Sequence, residues 1–197
     1  MNPHERIIGL YEENAGAWDR TRGRDLIEKP WLDRFAASLS KGGAILDVGC
    51  GMGEPIARYL IGLGFRVTGV DSSPSLIALC RERSPDHEWI VGDMRELDLA
   101  RRFDGLIAWH SSFHLTPGDQ RGLFPRFAAH LRPGGQLMFT SGEEEASASA
   151  SGWASRSTIR ASRPMTIERC WTPAASQSST AARATRSAGK RRCGSLR

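Results

Sequence analysis

The sequence predicts an α/β fold built on a doubly wound, mostly parallel sheet, and three observations carry the prediction. Short aliphatic runs alternate with helix-length segments from about residue 44 to residue 141, the order that gives a parallel sheet with right-handed crossovers and helices on both faces. The first run, "AILDV" at 44–48, is bounded by glycine and has the continuous apolar character of a strand buried on both faces. It passes directly into a glycine-dense turn, "GCGMGEP".

Ahead of that strand, Pro3 to Leu39 is expected to be helical. Ile7, Ile8, Tyr11, Ala15 and Trp18 fall near helical spacing, and Trp31, Leu32, Phe35 and Leu39 repeat it after a break at "TRGRD". The glycine turn should open a helix from about Gly53 to Leu63, with Pro55 in its first turn and Gly64 as its C-terminal cap. A second strand follows in "FRVTGVD", then a helix, "SPSLIALCRER", capped by Ser73 with Pro74 in its first turn. "HEWIVGD" and "FDGLIAWH" are the third and fourth strands, "TPGDQRGLFPRFAAHL" a helix, and "GQLMFTSG" a fifth strand after an "RPGG" turn. From Ala146 onward no stable period exists: alanine and serine occur eleven times each in residues 146–197, too little apolar area for a core, so this segment is expected to be disordered or loosely helical. The expected organisation is a helical cap over 1–40, a ligand-binding α/β domain over 41–145 and an atypical tail over 146–197.

The formal net charge of +5 is unevenly spread. Residues 146–197 hold ten Lys/Arg against one acid, Glu168, whereas residues 1–145 hold 17 basic and 21 acidic residues. The globular part is therefore mildly acidic, and a nucleic-acid function does not follow from overall basicity. Four cysteines, Cys50, Cys80, Cys170 and Cys193, show neither paired nor metal-ligand spacing, which suits reduced thiols in a cytoplasmic protein without a metal. The first residues lack the apolar core of a signal peptide, and no stretch reaches the length of a membrane span.

Three ligand classes share a strand, a glycine turn and a helix. A phosphate-cradling loop needs a Gly-Lys-Ser/Thr ending, and this chain offers Glu54 where a phosphate wants a cation. A dinucleotide turn would be GxGxxG with pyrophosphate on the helix N-terminus, but Gly49, Gly51 and Gly53 make GxGxG, and Glu54 is expected to repel a pyrophosphate at those amides. The third class is an adenosine ligand with no phosphate.

With an acid preceding GxGxG, "LDVGCGMG" resembles the first motif of the class I S-adenosylmethionine-dependent methyltransferases, and the resemblance extends over about Tyr11 to Ser141. It implies a Rossmann-like methyltransferase fold and S-adenosylmethionine as cofactor. Asp47 would pair with the methionine ammonium directly or through water, while Gly49, Gly51 and Gly53, with Cys50 among them, would let the backbone approach the ligand. Asp71, followed by Ser72, would accept the ribose hydroxyls. "GDMREL" resembles the adenine-reading stretch, with Asp93 toward the amino group and Met94 on the ring. Trp109, Tyr11 and Trp18 would wall the cofactor, the last two from a helical lid, although core packing also explains them.

Transfer of a methyl from a sulfonium needs alignment more than acid or metal. In "AWHSSFHL", His110 and His114 stand where the family places acceptor-facing residues, and either could be a general base, with His110 favoured because it directly follows the strand. Either could equally line the pocket. The Asn/Asp-Pro-Pro-aromatic motif of the family's nucleic-acid amino-methylating members is replaced by His-Ser-Ser-Phe, so a small-molecule acceptor is expected.

Members of this family continue past the fifth strand with a helix and an antiparallel hairpin, so the C-terminal strands are expected to be missing or disrupted here. Across "MTIERCWTPAAS" the shifted frame permits Asp-Tyr-Arg-Ala-Leu-Leu-Asp-Ala-Arg-Gly-Phe, an amphipathic helix ending in glycine, which suggests that residues from about Ala146 are translated out of frame. Two other readings stand beside the enzyme: a cofactor-binding protein of the same fold without turnover, and nucleic-acid binding through the basic tail, which would show steep salt dependence.

Overall fold

The structure is a computed structural model that describes residues 3–140; the tail, its suggested frame change and the expected loss of C-terminal strands lie outside the described residues. Three helices come first, α1 (Pro3–Glu13), α2 (Ala15–Thr21) and α3 (Lys29–Ala37), with the expected break between the second and third. Then strand and helix alternate: β1 (Ala44–Val48), α4 (Ile56–Gly62), β2 (Arg66–Asp71), α5 (Pro74–Arg83), β3 (Glu88–Val91), β4 (Phe103–Ala108), α6 (Pro117–Ala129) and β5 (Leu131–Phe139). Short 3-10 turns at Met94–Glu96 and Ser112–His114 follow β3 and β4.

The five strands lie in the order β3-β2-β1-β4-β5, and every pairing is parallel. Adjacent residues of β1 point to opposite faces and join different cores. Ile45 packs with Leu32 and Phe35 of α3 and with Leu60 of α4, whereas Leu46 and Val48 pack with Leu123 and Phe127 of α6. This is the doubly wound arrangement, and it explains why β1 reads as an uninterrupted apolar run.

On β4, a Cβ at Gly105 would meet Phe35 Cζ at 2.5 Å, so α3 lies hard against that strand. Because α3 leads directly into β1, its C-terminus sits at the amino edge of the sheet. Its N-terminus, headed by Glu28, therefore points to the carboxyl edge, where open α/β sheets bind ligands.

Two elements differ from expectation. Helix α4 begins at Ile56 and not near Gly53: Gly53 has φ +76, which is not helical, and Pro55 is the N-cap residue. Strand β5 includes the "RPGG" stretch, because Phe103 already pairs with Leu131 before an irregularity brings Gly105 opposite Gln136. The turn residues are thus a bulge within the strand.

Candidate functional site

A cavity of about 620 Å³ opens at the carboxyl edge of the sheet, lined by residues from the ends of β1, β2, β3 and β4 and from the N-terminal helices. Its floor is the turn after β1. The Gly49 and Cys50 amides donate to the Val70 carbonyl at 2.7 and 3.1 Å, and the Gly51 amide donates to Asp71 Oδ2 at 2.8 Å. Gly49, Gly51 and Gly53 all take positive φ, the conformation that only glycine adopts without cost.

The three glycines serve different ends. A Cβ on Gly51 would meet nothing within 4 Å, so this is open backbone facing the cavity. A Cβ on Gly49 would stand 2.3 Å from Ser111 Cβ, and one on Gly53 would meet Cys80 Sγ and a Trp89 ring carbon, both at 3.3 Å. Gly53 is packed beneath the turn, and the cavity wall does not include it.

Asp47, 4% exposed, stands in β1 under the turn. Burial pushes its carboxyl up to about 7, and the nearby Asp71 charge adds to the effect. Asp71 is itself raised by burial, against the backbone amides of Ser73, Gly51 and Ser72 that hydrogen-bond it. Asp93 caps the turn after β3 by accepting the Arg95 amide at 2.8 Å, and it also accepts from Arg95 Nε at 2.8 Å. Burial works against its charge, but Arg95 outweighs that and holds it below the usual carboxylate range. Ser72 and Met94 line the wall beside these acids.

Aromatic side chains complete the lining. Tyr11 and Trp18 meet edge to face at 5.4 Å between ring centroids, and burial raises the Tyr11 phenol above its ordinary value. His110 sits between Trp109 and Phe113, edge to face at 5.5 and 6.0 Å. It has φ +49, and its amide donates to Thr140 Oγ1 at 2.9 Å. Burial lowers the imidazole below its usual value; Glu28 opposes that shift and Arg22 adds to it. His114 ends a 3-10 turn, and its side chain lies outside the described residues.

Helices α1 and α2 are tied down through carboxylates. Glu12 of α1 accepts from Ser73 Oγ at 2.5 Å and from the Ser75 hydroxyl at 2.6 Å and amide at 3.1 Å. Asp19 of α2 takes both oxygens to Arg83 Nη2 of α5 at 2.7 Å. Glu54 is not the free acid that the repulsion argument assumed. It pairs with Arg24 and Arg58 at 2.8 Å and lies 3.7 Å from Arg83; burial works against its charge, yet these arginines hold it below the ordinary carboxylate range.

What disfavours a polyphosphate is instead the set of wall acids without an arginine partner, Asp47, Asp71 and Glu28, with Arg22 the one arginine or lysine among the described wall residues. The same acceptors suit a ligand that brings an ammonium and hydroxyl groups. Among the described residues no cluster of His, Cys, Asp and Glu could hold a metal ion, and no helix is long and apolar enough to cross a membrane.

The sequence matches the family described as "Methyltransferase domain" over residues 45–135, the span that contains the turn, Asp47, Asp71 and Asp93. Residues 45–135 are a methyltransferase domain of the class I S-adenosylmethionine-dependent type. S-adenosylmethionine is the cofactor of this methyltransferase domain, and Gly51's open backbone among carboxylates fits it. Over 100 residues the chain is 36% identical to the dTDP-3-amino-3,6-dideoxy-alpha-D-glucopyranose N,N-dimethyltransferase of Streptomyces fradiae, covering 50% of this chain and 39% of that protein. It is 36% identical over 121 residues to the trans-aconitate 2-methyltransferase of Azoarcus sp. BH72, covering 60% and 44%. Among solved structures, that of CalS10, an amino pentose methyltransferase from Micromonospora echinaspora with S-adenosylmethionine bound, aligns with TM-score 0.53 at 30% identity, covering 64% of this chain and 54% of that one. The chain thus spans less than half the length of the two curated relatives.

The cavity gathers Asp47, Gly49, Cys50, Gly51, Asp71, Ser72, Asp93, Met94, Trp109, Tyr11, Trp18 and His110. It also contains Arg22, Ile27, Glu28, Ser111 and Phe113, which were not singled out from the sequence as ligand-facing.

Proposed function

We propose that the chain transfers a methyl group to a small organic acceptor held between the lid helices and the end of β4. The observation that carries this reading is one cavity whose lining combines the glycine turn, Asp47, Asp71 and Asp93 with the aromatic side chains Trp109, His110 and Phe113. The first group suits a cofactor, and the second is left for another molecule. Relatives that act on an amino sugar and on trans-aconitate support a small acceptor.

The bound cofactor would supply an electrophilic methyl on a sulfonium. In this reading Asp71 takes the ribose hydroxyls, Asp93 and Met94 hold the adenine, and Asp47 meets the methionine ammonium. Residues 3–21 act as a cap, shorter than the expected 1–40 because α3 packs into the core: α1 and α2 bring Tyr11 and Trp18 over the cofactor and exclude water, which strengthens the remaining electrostatics. His110, its imidazole kept neutral by burial, takes the proton that an acceptor nitrogen or oxygen must lose.

The test is transfer of labelled methyl from S-adenosylmethionine to a panel of amines, alcohols and carboxylic acids. Labelled product from the wild-type chain, reduced by His110→Ala with cofactor binding unchanged, supports the reading. Tight cofactor binding with no labelled product from any class would favour a binding protein of the same fold.

A further inference from the structure

The cavity wall contains a buried acid with no task in holding the cofactor. Glu28 heads α3, is 6% exposed, and lines the cavity; its Oε2 is buried without a hydrogen-bond partner. Trp109 Nε1, in the same wall, is a second buried polar atom without a partner. A buried carboxylate oxygen left unpaired is costly, and such a group in a ligand cavity marks a place where a ligand completes the bonding.

Its position separates it from the cofactor. Packing of Phe35 against Gly105 sets α3 along β4, so the head of the helix is next to the end of that strand. The Glu28 charge acts on His110, which lies just past the end of β4. Arg22, the wall's basic side chain, is only part-buried and has its guanidinium over the Trp18 ring at 5.3 Å. The more desolvated charge is the carboxylate, and it is the one whose pairing a ligand must supply.

We infer that Glu28 is the acceptor-recognition residue of this cavity and that the acceptor presents an amine to it. The ammonium form binds by charge-assisted hydrogen bonding to the carboxylate, with Trp109 Nε1 left to donate to a neighbouring acceptor oxygen. A carboxylic acid acceptor would bring like charge to a buried carboxylate and is disfavoured. Ile27, Trp109 and Phe113 add apolar lining to the same cavity.

The inference rests on the methyl-transfer reading, and one experiment separates their failures. Wild type is first titrated with S-adenosylhomocysteine; absence of binding there is failure of the underlying reading. The loaded protein is then titrated with benzylamine and with benzoate, which share a ring and differ in charge. Benzylamine should bind about tenfold more tightly, and Glu28→Gln should reduce that preference to below about threefold with cofactor affinity unchanged. The wild-type preference is itself a test that needs no variant. The inference is overturned if benzoate binds as well as benzylamine, if neither binds the loaded protein, if Glu28→Gln keeps the preference, or if it weakens S-adenosylhomocysteine binding to the same degree.

Discussion

The carboxylate of Asp71 and the amide of Gly51 meet at 2.8 Å, closing the glycine turn from the end of the neighbouring strand. The second oxygen of Asp71 accepts the Ser73 amide at 3.0 Å, so one side chain fixes both the turn after β1 and the first residues of α5. Asp71→Asn keeps the shape but replaces an acceptor by a donor facing an amide. It is expected to lower stability by about 1–3 kcal/mol, checked by thermal melting, and to weaken S-adenosylhomocysteine in a calorimetric titration.

Asp47 should give the protein a pH signature. Its native value of about 7 lies above the unfolded value of about 3.9, so between the two the native chain holds a proton that the unfolded chain releases. The contribution is fully present below the unfolded value and is lost as pH rises through 7. The melting temperature without ligand should fall over that window, and Asp47→Asn should flatten the fall. An ammonium brought beside Asp47 favours the ionised form, so S-adenosylhomocysteine should displace a proton when it binds near pH 6, about one unit below that value. Titration in two buffers of different ionisation enthalpy reads the proton directly, and the variant should release none.

Gly49 and Gly51 share a motif but should fail differently. Gly49→Ala places a methyl 2.3 Å from Ser111 Cβ at φ +75, and it should destabilise by about 2–4 kcal/mol in denaturant unfolding. Adding Ser111→Gly should recover the steric part of that loss. Gly51→Ala meets nothing within 4 Å and should cost only about 1–2 kcal/mol for its left-handed backbone. Because its methyl occupies the cavity floor, it should nevertheless weaken S-adenosylhomocysteine by about tenfold or more.

Glu12 joins the lid to the head of α5 through Ser73 and Ser75. Glu12→Ala should leave the melting of the sheet nearly unchanged while raising the Kd for S-adenosylhomocysteine by about three- to tenfold. Hydrogen exchange should show faster opening of residues 3–21 in the variant.

The sheet was legible because each strand is a short apolar run ending where a turn or acid begins, and that pattern survives without tertiary information. The floor of the cavity was legible for the same reason: Asp47, Gly51 and Asp71 are fixed by strand ends. Other features depend on contacts between distant segments. Glu28, followed by lysine and proline, has the sequence appearance of a surface charge, and only the packing of Phe35 on Gly105 brings it to the carboxyl edge. Gly53 belongs to the motif by spacing, yet its bare Cα answers to Cys80 and Trp89. Glu54 reads as a repelling acid until Arg24, Arg58 and Arg83 are folded around it. The bulge in β5 was hidden because "RPGG" is equally good turn chemistry.

The most direct test of the central claim, that the turn and the acids beside it form the cofactor site, is a calorimetric titration of the wild-type chain and of Asp71→Ala with S-adenosylhomocysteine. Saturable one-to-one binding by wild type, lost in a variant that still gives the far-ultraviolet spectrum of an α/β protein, is the predicted result. A folded wild-type chain that binds nothing, or a variant that binds as tightly as wild type, would contradict it.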